Sequence, residues 1–156
     1  MCISIGKSLK LNRIDVTDEY ANNAKPNVGK ITMDDDLIVK DHQSEIEVAE
    51  WLLKTYGGNI HIMQEHSGPK FPDYEWNGKL WDLKDVTTAQ AAKGAIARGR
   101  AQIHTNAGGI ILDYKNNDIS LKDVIDVIDK KAKHYENGIG DIIIRSKGKT
   151  VKIFRY

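Results

Sequence analysis

The feature that most constrains the fold is a tight turn, Asn77-Gly78, between two runs of β-forming residues, FPDYEW and KLWDLKDV. The Asn-Gly pair favours a two-residue hairpin loop because both residues readily adopt positive φ angles. A loop of this length also fixes the strand register, which places Asp73 directly opposite Asp82. The sequence therefore predicts a β-hairpin with two carboxylates on one face.

The two faces of this hairpin differ in chemistry. Alternation along the strands puts one set of apolar residues on a face that we expect to be core: Tyr74, Trp76, Trp81 and Leu83. Asp73, Asp82 and Lys84 share the other face, where like charges opposite each other cost about 0.2–1 kcal/mol. A divalent cation held by both carboxylates would offset the repulsion, and Lys84 could then stabilise developing negative charge. Alternatively, Lys84 simply neutralises the pair on a solvated strand.

A helix is predicted before the hairpin, in the segment SEIEVAEWLLKTYGG. Ser44 and Glu47 have the spacing of a capping box, and Gly57-Gly58 ends the helical pattern. Glu45 lies at the edge of the core-facing stripe, where it could be a third metal ligand. A favourable charge at the helix N-terminus explains Glu45 equally well.

A second helix, rich in alanine, is predicted after Thr87 and Thr88 and runs to about His104. Polar and basic side chains follow one rim of it, and we expect them to contact phosphates unless they are only a solvated face: Lys93, Arg98, Arg100 and Gln102. His104 follows Arg100 by four residues and is a candidate for substrate contact or proton transfer.

The remaining elements predict an α/β (α+β) domain with a mixed central sheet flanked by helices. Residues 1–40 have no sustained periodicity and are interpreted as an irregular lead-in, which leaves residues 41–156 as the functional domain. Within that domain the predicted order is αβββαβ, followed by a helix capped by Ser120 and a C-terminal hairpin at Lys147-Gly148.

Composition adds limits rather than a function. The 156 residues fit one domain, and 23 Lys and Arg balance 22 Asp and Glu, so the overall charge gives no reason to propose a nucleic-acid or membrane partner. The single cysteine excludes an internal disulfide framework and a cysteine-based zinc cluster. The sequence also has no apolar run long enough to span a membrane, and its start lacks a signal-peptide core.

Two levels of resemblance follow from these motifs. Pro72-Asp73 followed by Asp82-Leu83-Lys84 resembles the PD-(D/E)XK nuclease signature, and the αβββαβ order resembles the restriction-endonuclease-like core of that superfamily. Longer segments are similar to the C-terminal toxin domains of the contact-dependent growth inhibition protein CdiA: HQSEIEVAEWLL, GGNIHIMQE, PDYEWNGKLWDLK and QIHTNAGGIILDY.

This resemblance implies a bacterial effector that is delivered from the producing cell, cleaves tRNA in the cytoplasm of the target cell, and is neutralised by a cognate immunity protein. Glu45, Asp73 and Asp82 match the family's acidic metal ligands, and Lys84 matches the motif lysine. The expected metal is Mg²⁺, with Zn²⁺ or Mn²⁺ as alternatives.

Other functions remain open at this point. A metal-independent tRNase of the barnase/EndoU/colicin/RelE type would use Lys84, Thr87 and His104 instead of the aspartates. A DNase would use the same metal site, because that site acts on a phosphodiester and does not distinguish the sugars. A non-catalytic binding module would keep the fold without turnover.

Overall fold

An eight-stranded mixed sheet organises the chain in the computed structural model, which describes residues 12–64, 71–115 and 118–156. The strands are β1 (Ile14–Asp15), β2 (Ile31–Met33), β3 (Ile60–Ile62), β4 (Tyr74–Trp76), β5 (Lys79–Asp85), β6 (Ala107–Tyr114), β7 (Asp141–Ser146) and β8 (Lys149–Arg155). The helices are α1 (Thr17–Asn23), α2 (Gln43–Thr55), α3 (Ala91–Ile103) and α4 (Leu121–Ala132), with a short 3-10 helix at Val39–Asp41. Across the sheet the strands are ordered β1-β8-β7-β6-β5-β4-β3-β2.

The predicted fold class and the αβββαβ order are confirmed by the succession α2-β3-β4-β5-α3-β6. The centre of the sheet is parallel, with β5, β6 and β7 side by side, and an antiparallel hairpin flanks it on each side. Helices α3 and α4 connect the parallel strands, as crossovers between parallel neighbours require.

The hairpin between β4 and β5 has the predicted register. Tyr74 pairs with Trp81, and the turn residues Asn77 and Gly78 have φ angles of 51° and 81°. Positive φ at both positions is what a two-residue loop of this kind demands, and asparagine and glycine adopt it at little cost. The register carries the aspartates of the hairpin to the same level of the sheet.

Each face of the sheet is covered by a hydrophobic core. Helices α3 and α4 pack on one face, where Ile110 and Leu112 of β6 are fully buried. Helix α2 packs on the other face, where Ile111 joins the aromatic residues Trp76 and Trp81. Burial on both faces explains why β6 is a continuous apolar run rather than an alternating one.

The interpretation of residues 1–40 as an irregular lead-in is wrong for the part of it that the structure describes. Strand β1 pairs with β8 and strand β2 pairs with β3, so this segment supplies both edges of the sheet. Two and three residues are too few to show strand alternation, and these strands form through backbone pairing with distant segments. Residues 1–11 lie outside the described part of the chain.

Helix caps are a second point of comparison. The N-cap role predicted for Ser120 is confirmed, since its hydroxyl accepts a hydrogen bond from the Asp123 amide at 3.3 Å. The capping box at Ser44 is wrong, because α2 begins one residue earlier without a side-chain cap. Ser44 instead accepts a hydrogen bond from Lys115 Nζ at 3.0 Å, which ties the start of α2 to the end of β6.

Among the described helices, none has both the length and the apolar character needed to cross a membrane.

Candidate functional site

Asp73 and Asp82 meet where β5 extends beyond its pairing with β4, and Asp73 lies just before β4 begins. The Asp73 amide donates to the carbonyl of Trp81 at 3.1 Å, which extends the hairpin by one residue. Its carboxylate Oδ2 accepts a hydrogen bond from the Leu83 amide at 2.7 Å. The side chain of Asp82 is 1% exposed and Asp73 is half-buried, so the acid pair is largely shielded from solvent.

The two carboxyl groups of the acid pair influence each other's pKa. Burial raises the pKa of Asp73 well above its ordinary value, and the neighbouring negative charge of Asp82 raises it further. Burial also raises the pKa of Asp82, while its close neighbours Asp73 and Lys84 lower it. Two adjacent carboxyl groups that are shielded from solvent resist ionising together, so Asp73 keeps its proton to a higher pH than an ordinary aspartate does.

Lys84 is held at the acid pair by an ion pair with Asp82 and a hydrogen bond to Gln102. Its Nζ lies 2.8 Å from Asp82 Oδ2 and donates to Gln102 Oε1 at 3.1 Å. The lysine side chain is 17% exposed. Since an ammonium group has three N–H donors, one remains for a ligand that approaches from solvent.

Glu45 approaches the acid pair from α2. Tyr74 Oη donates to the Glu45 carbonyl at 2.6 Å, which fixes the first turn of α2 to the hairpin. Burial raises the pKa of the half-buried Glu45, and the nearby charge of Asp73 also raises it. The predicted inward orientation of Glu45 is consistent with this electrostatic contact.

The predicted three-carboxylate metal site is not assembled. Throughout residues 12–64, 71–115 and 118–156, no three His, Cys, Asp or Glu side chains form a group that could hold a metal ion. The acid pair alone does fit a hard cation, because both carboxylate oxygens of Asp82 are buried without a hydrogen-bond partner among those residues. Mg²⁺ commonly takes only one or two protein carboxylates and completes its shell with water and phosphate oxygens.

The residues predicted to contact substrate separate into two groups. Gln102 contacts Lys84, while Thr87, Lys93 and Arg98 are exposed to solvent. Gln102 positions Lys84, and the exposed Thr87, Lys93 and Arg98 remain candidates for contact with a substrate.

Arg100 and His104 point away from the acid pair. The Arg100 Nε donates to the Gly138 carbonyl at 3.0 Å, and its guanidinium lies 4.2 Å from the ring centre of Tyr135. Both residues line a cavity of about 770 Å³ at the end of the sheet where β5 and β6 begin, here called the basal cavity. Residues two apart on a helix face nearly opposite directions, so Gln102 and Arg100 cannot serve one site.

A buried ion pair on the α2 side of the sheet was missed by sequence reasoning. Arg145 donates to Asp113 Oδ2 at 2.8 Å, and its guanidinium lies 4.7 Å from the ring centre of Trp51. The side chains of Arg145 and Asp113 are 5% and 0% exposed. Opposite charges at the ends of two apolar strands, IILD and DIIIR, are the pattern that could have indicated it.

Comparisons with known proteins place this geometry in context. Residues 70–151 match the family model described as the contact-dependent growth inhibition CdiA C-terminal domain. That range contains the hairpin, the acid pair and Lys84, whereas Glu45 lies outside it. Among solved structures, the chain is similar to one from the CdiA-CT/CdiI toxin and immunity complex from Burkholderia pseudomallei, with 18% identity and a TM-score of 0.48. The similarity covers 81% of this chain and 98% of that one. No curated protein matches the sequence.

Proposed function

The chain belongs to the family of contact-dependent growth inhibition CdiA C-terminal domains, and from this membership we propose that it is a nuclease toxin. Its substrate is tRNA in the cytoplasm of the target bacterium, which it cleaves by divalent-metal-dependent phosphodiester hydrolysis. A cognate immunity protein neutralises it in the producing cell.

The observation that carries this proposal is the buried acid pair with Lys84 at hydrogen-bond distance. Lys84 Nζ holds Asp82 Oδ2 at 2.8 Å, and Gln102 fixes the direction of the ammonium group. The remaining N–H of Lys84 is free to donate to a phosphate oxygen whose negative charge grows during attack. A structural ion pair would need neither the second carboxylate nor the unpaired Oδ1 of Asp82.

Asp73 and Asp82 would hold the metal ion. A divalent cation bound there supplies a Lewis acid and lowers the pKa of a bound water. Asp73 must release its proton before it can act as a ligand, because only the carboxylate form binds a metal. Glu45 adds negative charge beside the acid pair, which strengthens the attraction for a cation.

Exposed cationic side chains on α3 support a polyanionic substrate. Lys93 and Arg98 are exposed on the same helix as Gln102, which contacts Lys84. Phosphate groups of an RNA strand are the ligands that such side chains bind without reading sequence. Thr87, exposed in the loop after β5, can donate to the same backbone.

Cleavage of total tRNA by the purified chain tests the activity and the metal together. We expect cutting with Mg²⁺, loss of cutting in EDTA, and recovery when Mg²⁺, Mn²⁺ or Zn²⁺ is restored. Undiminished cutting in EDTA would contradict the metal mechanism and favour a metal-independent ribonuclease. Plasmid DNA and ribosomal RNA in parallel reactions distinguish a tRNase from a nuclease of other specificity.

Calorimetry tests metal binding without any substrate. Mg²⁺ binding to the acid pair should release about one proton per site, because the proton of Asp73 must leave. Titrations in two buffers of different ionisation enthalpy measure that release. The variant Asp73→Asn carries no such proton and should bind Mg²⁺ more weakly, with no release at this position.

A further inference from the structure

We propose that the basal cavity binds a nucleotide, with an aromatic base against its tryptophan wall and a phosphate at its basic rim. The cavity of about 770 Å³ lies within the size range of small-molecule sites. None of Glu45, Asp73, Asp82 and Lys84 lines it, so the site is separate from the proposed nuclease centre.

The indole N–H of Trp81 lies in the wall of the cavity and has no hydrogen-bond partner among the described residues. Trp81 is 3% exposed, and no described residue accepts a hydrogen bond from its Nε1. A Cβ atom at Gly108 would lie 2.2 Å from this nitrogen, so the indole N–H sits directly beside a glycine that lines the cavity. Trp76 differs, because its Nε1 donates to the Gly57 carbonyl at 3.0 Å. The Trp81 nitrogen is not among the fully enclosed polar atoms that lack a partner, so it keeps access to the cavity and can donate to a ligand there.

Aromatic surface surrounds that donor. The ring centres of Trp76 and Trp81 are 5.1 Å apart, and Tyr20 lies 6.2 Å from Trp76. All three residues line the cavity. Flat aromatic side chains beside a hydrogen-bond donor suit a planar ring that carries acceptor atoms, as every nucleobase does.

The rim carries positive charge that the protein does not neutralise. Lys79 Nζ donates to the neutral Asn106 Oδ1 at 3.2 Å, and Arg100 donates to the neutral Gly138 carbonyl. Neither cation forms an ion pair with a carboxylate of the described residues. His104 is exposed at the same rim and adds a third donor.

The acidic residue that lines the cavity, Asp141, is already paired with other side chains of the protein. Asp141 accepts from Arg155 Nε at 2.8 Å and from Tyr20 Oη at 2.5 Å. The surplus is therefore cationic, which favours a ligand with a negative group. Aromatic walls, one indole donor and a basic rim together fit a base joined to a phosphate better than they fit an uncharged or cationic molecule.

A free nucleotide and a nucleotide within an RNA strand present the same chemistry to this cavity. The experiment uses the full chain with Asp82→Asn, so that RNA stays intact, and follows the three tryptophan indole N–H signals by ¹H–¹⁵N NMR. AMP, GMP, CMP, UMP, inorganic phosphate and a short RNA oligonucleotide are titrated separately. We expect a saturable shift of the Trp81 signal with a nucleotide or the oligonucleotide, and little change at Trp51.

Charge-removing variants test the rim. Lys79→Gln combined with His104→Gln should weaken nucleotide affinity at least about tenfold, since two phosphate contacts are lost. The matched control, Lys54→Gln with Lys122→Gln, removes two exposed cations elsewhere and should leave affinity unchanged. Saturation by mononucleotides identifies a free-nucleotide site, whereas saturation by the oligonucleotide alone identifies an RNA contact.

Three results would overturn the proposal: no saturable Trp81 shift with any nucleotide, an equal shift with phosphate alone, or affinity that the rim variant leaves intact. The tRNA cleavage assay on the unmodified chain is read independently. Failure of one experiment therefore does not decide the other.

Discussion

The Lys84 ammonium lies 2.8 Å from Asp82 Oδ2, although the two residues stand only two positions apart on β5. Neighbours on one face of a strand have their Cα atoms about 7 Å apart, so the long lysine side chain must turn back along the strand to reach the carboxylate. Gln102 holds it in that position from α3. Lys84 is thus positioned by a residue of the following helix.

Asp82→Asn should abolish tRNA cleavage without lowering the melting temperature at pH 8. The substitution removes an anion from a repulsive buried pair and keeps the size of the side chain, so stability is retained while cation binding is lost. Cleavage rate and thermal unfolding of the same preparation check this. Asp126→Asn, an exposed change on α4, serves as the control with unaltered cleavage. A large drop in melting temperature for Asp82→Asn would identify a structural ion pair instead.

Gln102→Leu should lower kcat about tenfold with little change in KM, because Gln102 acts on Lys84 rather than on the bound RNA. Lys84→Gln should cost about 100-fold or more in kcat, as the loss of a donor to developing charge does. Gln102→Glu keeps an acceptor for the ammonium group and should retain more activity than Gln102→Leu. Steady-state cleavage kinetics separate these effects, and a pure KM effect for Gln102→Leu would mean direct substrate contact.

The free energy of unfolding should decrease as pH rises, and part of this decrease should depend on Asp73. Its raised native pKa means that the folded chain keeps a proton which the unfolded chain, with an ordinary pKa of 3.8, releases. The contribution of the Asp73 proton to the free energy of unfolding is therefore full below pH 3.8, and it is lost as pH rises through the raised native pKa. Urea unfolding of the original chain and Asp73→Asn at pH 5 and pH 8 measures it. A difference between the two chains that does not change with pH would argue against the raised pKa of Asp73.

Arg145→Leu should destabilise the fold by about 3–5 kcal/mol, because it leaves Asp113 buried and unpaired. Replacement of both partners by apolar residues, Asp113→Val with Arg145→Leu, should recover most of that loss. Denaturant unfolding of the two single variants and the double variant gives the coupling energy. A loss below about 1 kcal/mol for Arg145→Leu would place the pair in solvent-like surroundings.

Local chemistry explains which parts of the fold the sequence predicted. The Asn77-Gly78 turn fixes the hairpin register by its own backbone preferences, and with it the meeting of Asp73 and Asp82. Strands β1 and β2 were missed because their partners, β8 and β3, are supplied from elsewhere in the chain. No local pattern marks such pairing.

The candidate functional site also depends partly on local spacing, which the sequence shows, and partly on tertiary packing, which it does not. Helical spacing placed Gln102 and Arg100 on one helix, but only tertiary packing decides that one reaches Lys84 and the other reaches the loop at Gly138. The basal cavity lies between segments far apart in sequence, so spacing along the chain could not indicate it.

The pairing of β1 with β8 sets the order in which the molecule can be completed. Because a ribosome synthesises the amino-terminal part of a chain first, Ile14 of β1 cannot pair with Arg155 until β8 has been synthesised. A chain that stops before β8 leaves β7 as an unpaired edge, which invites aggregation with other chains. The sheet therefore forms fully only after β8 has been synthesised, and a chain that lacks β8 is a poor candidate to survive as folded protein.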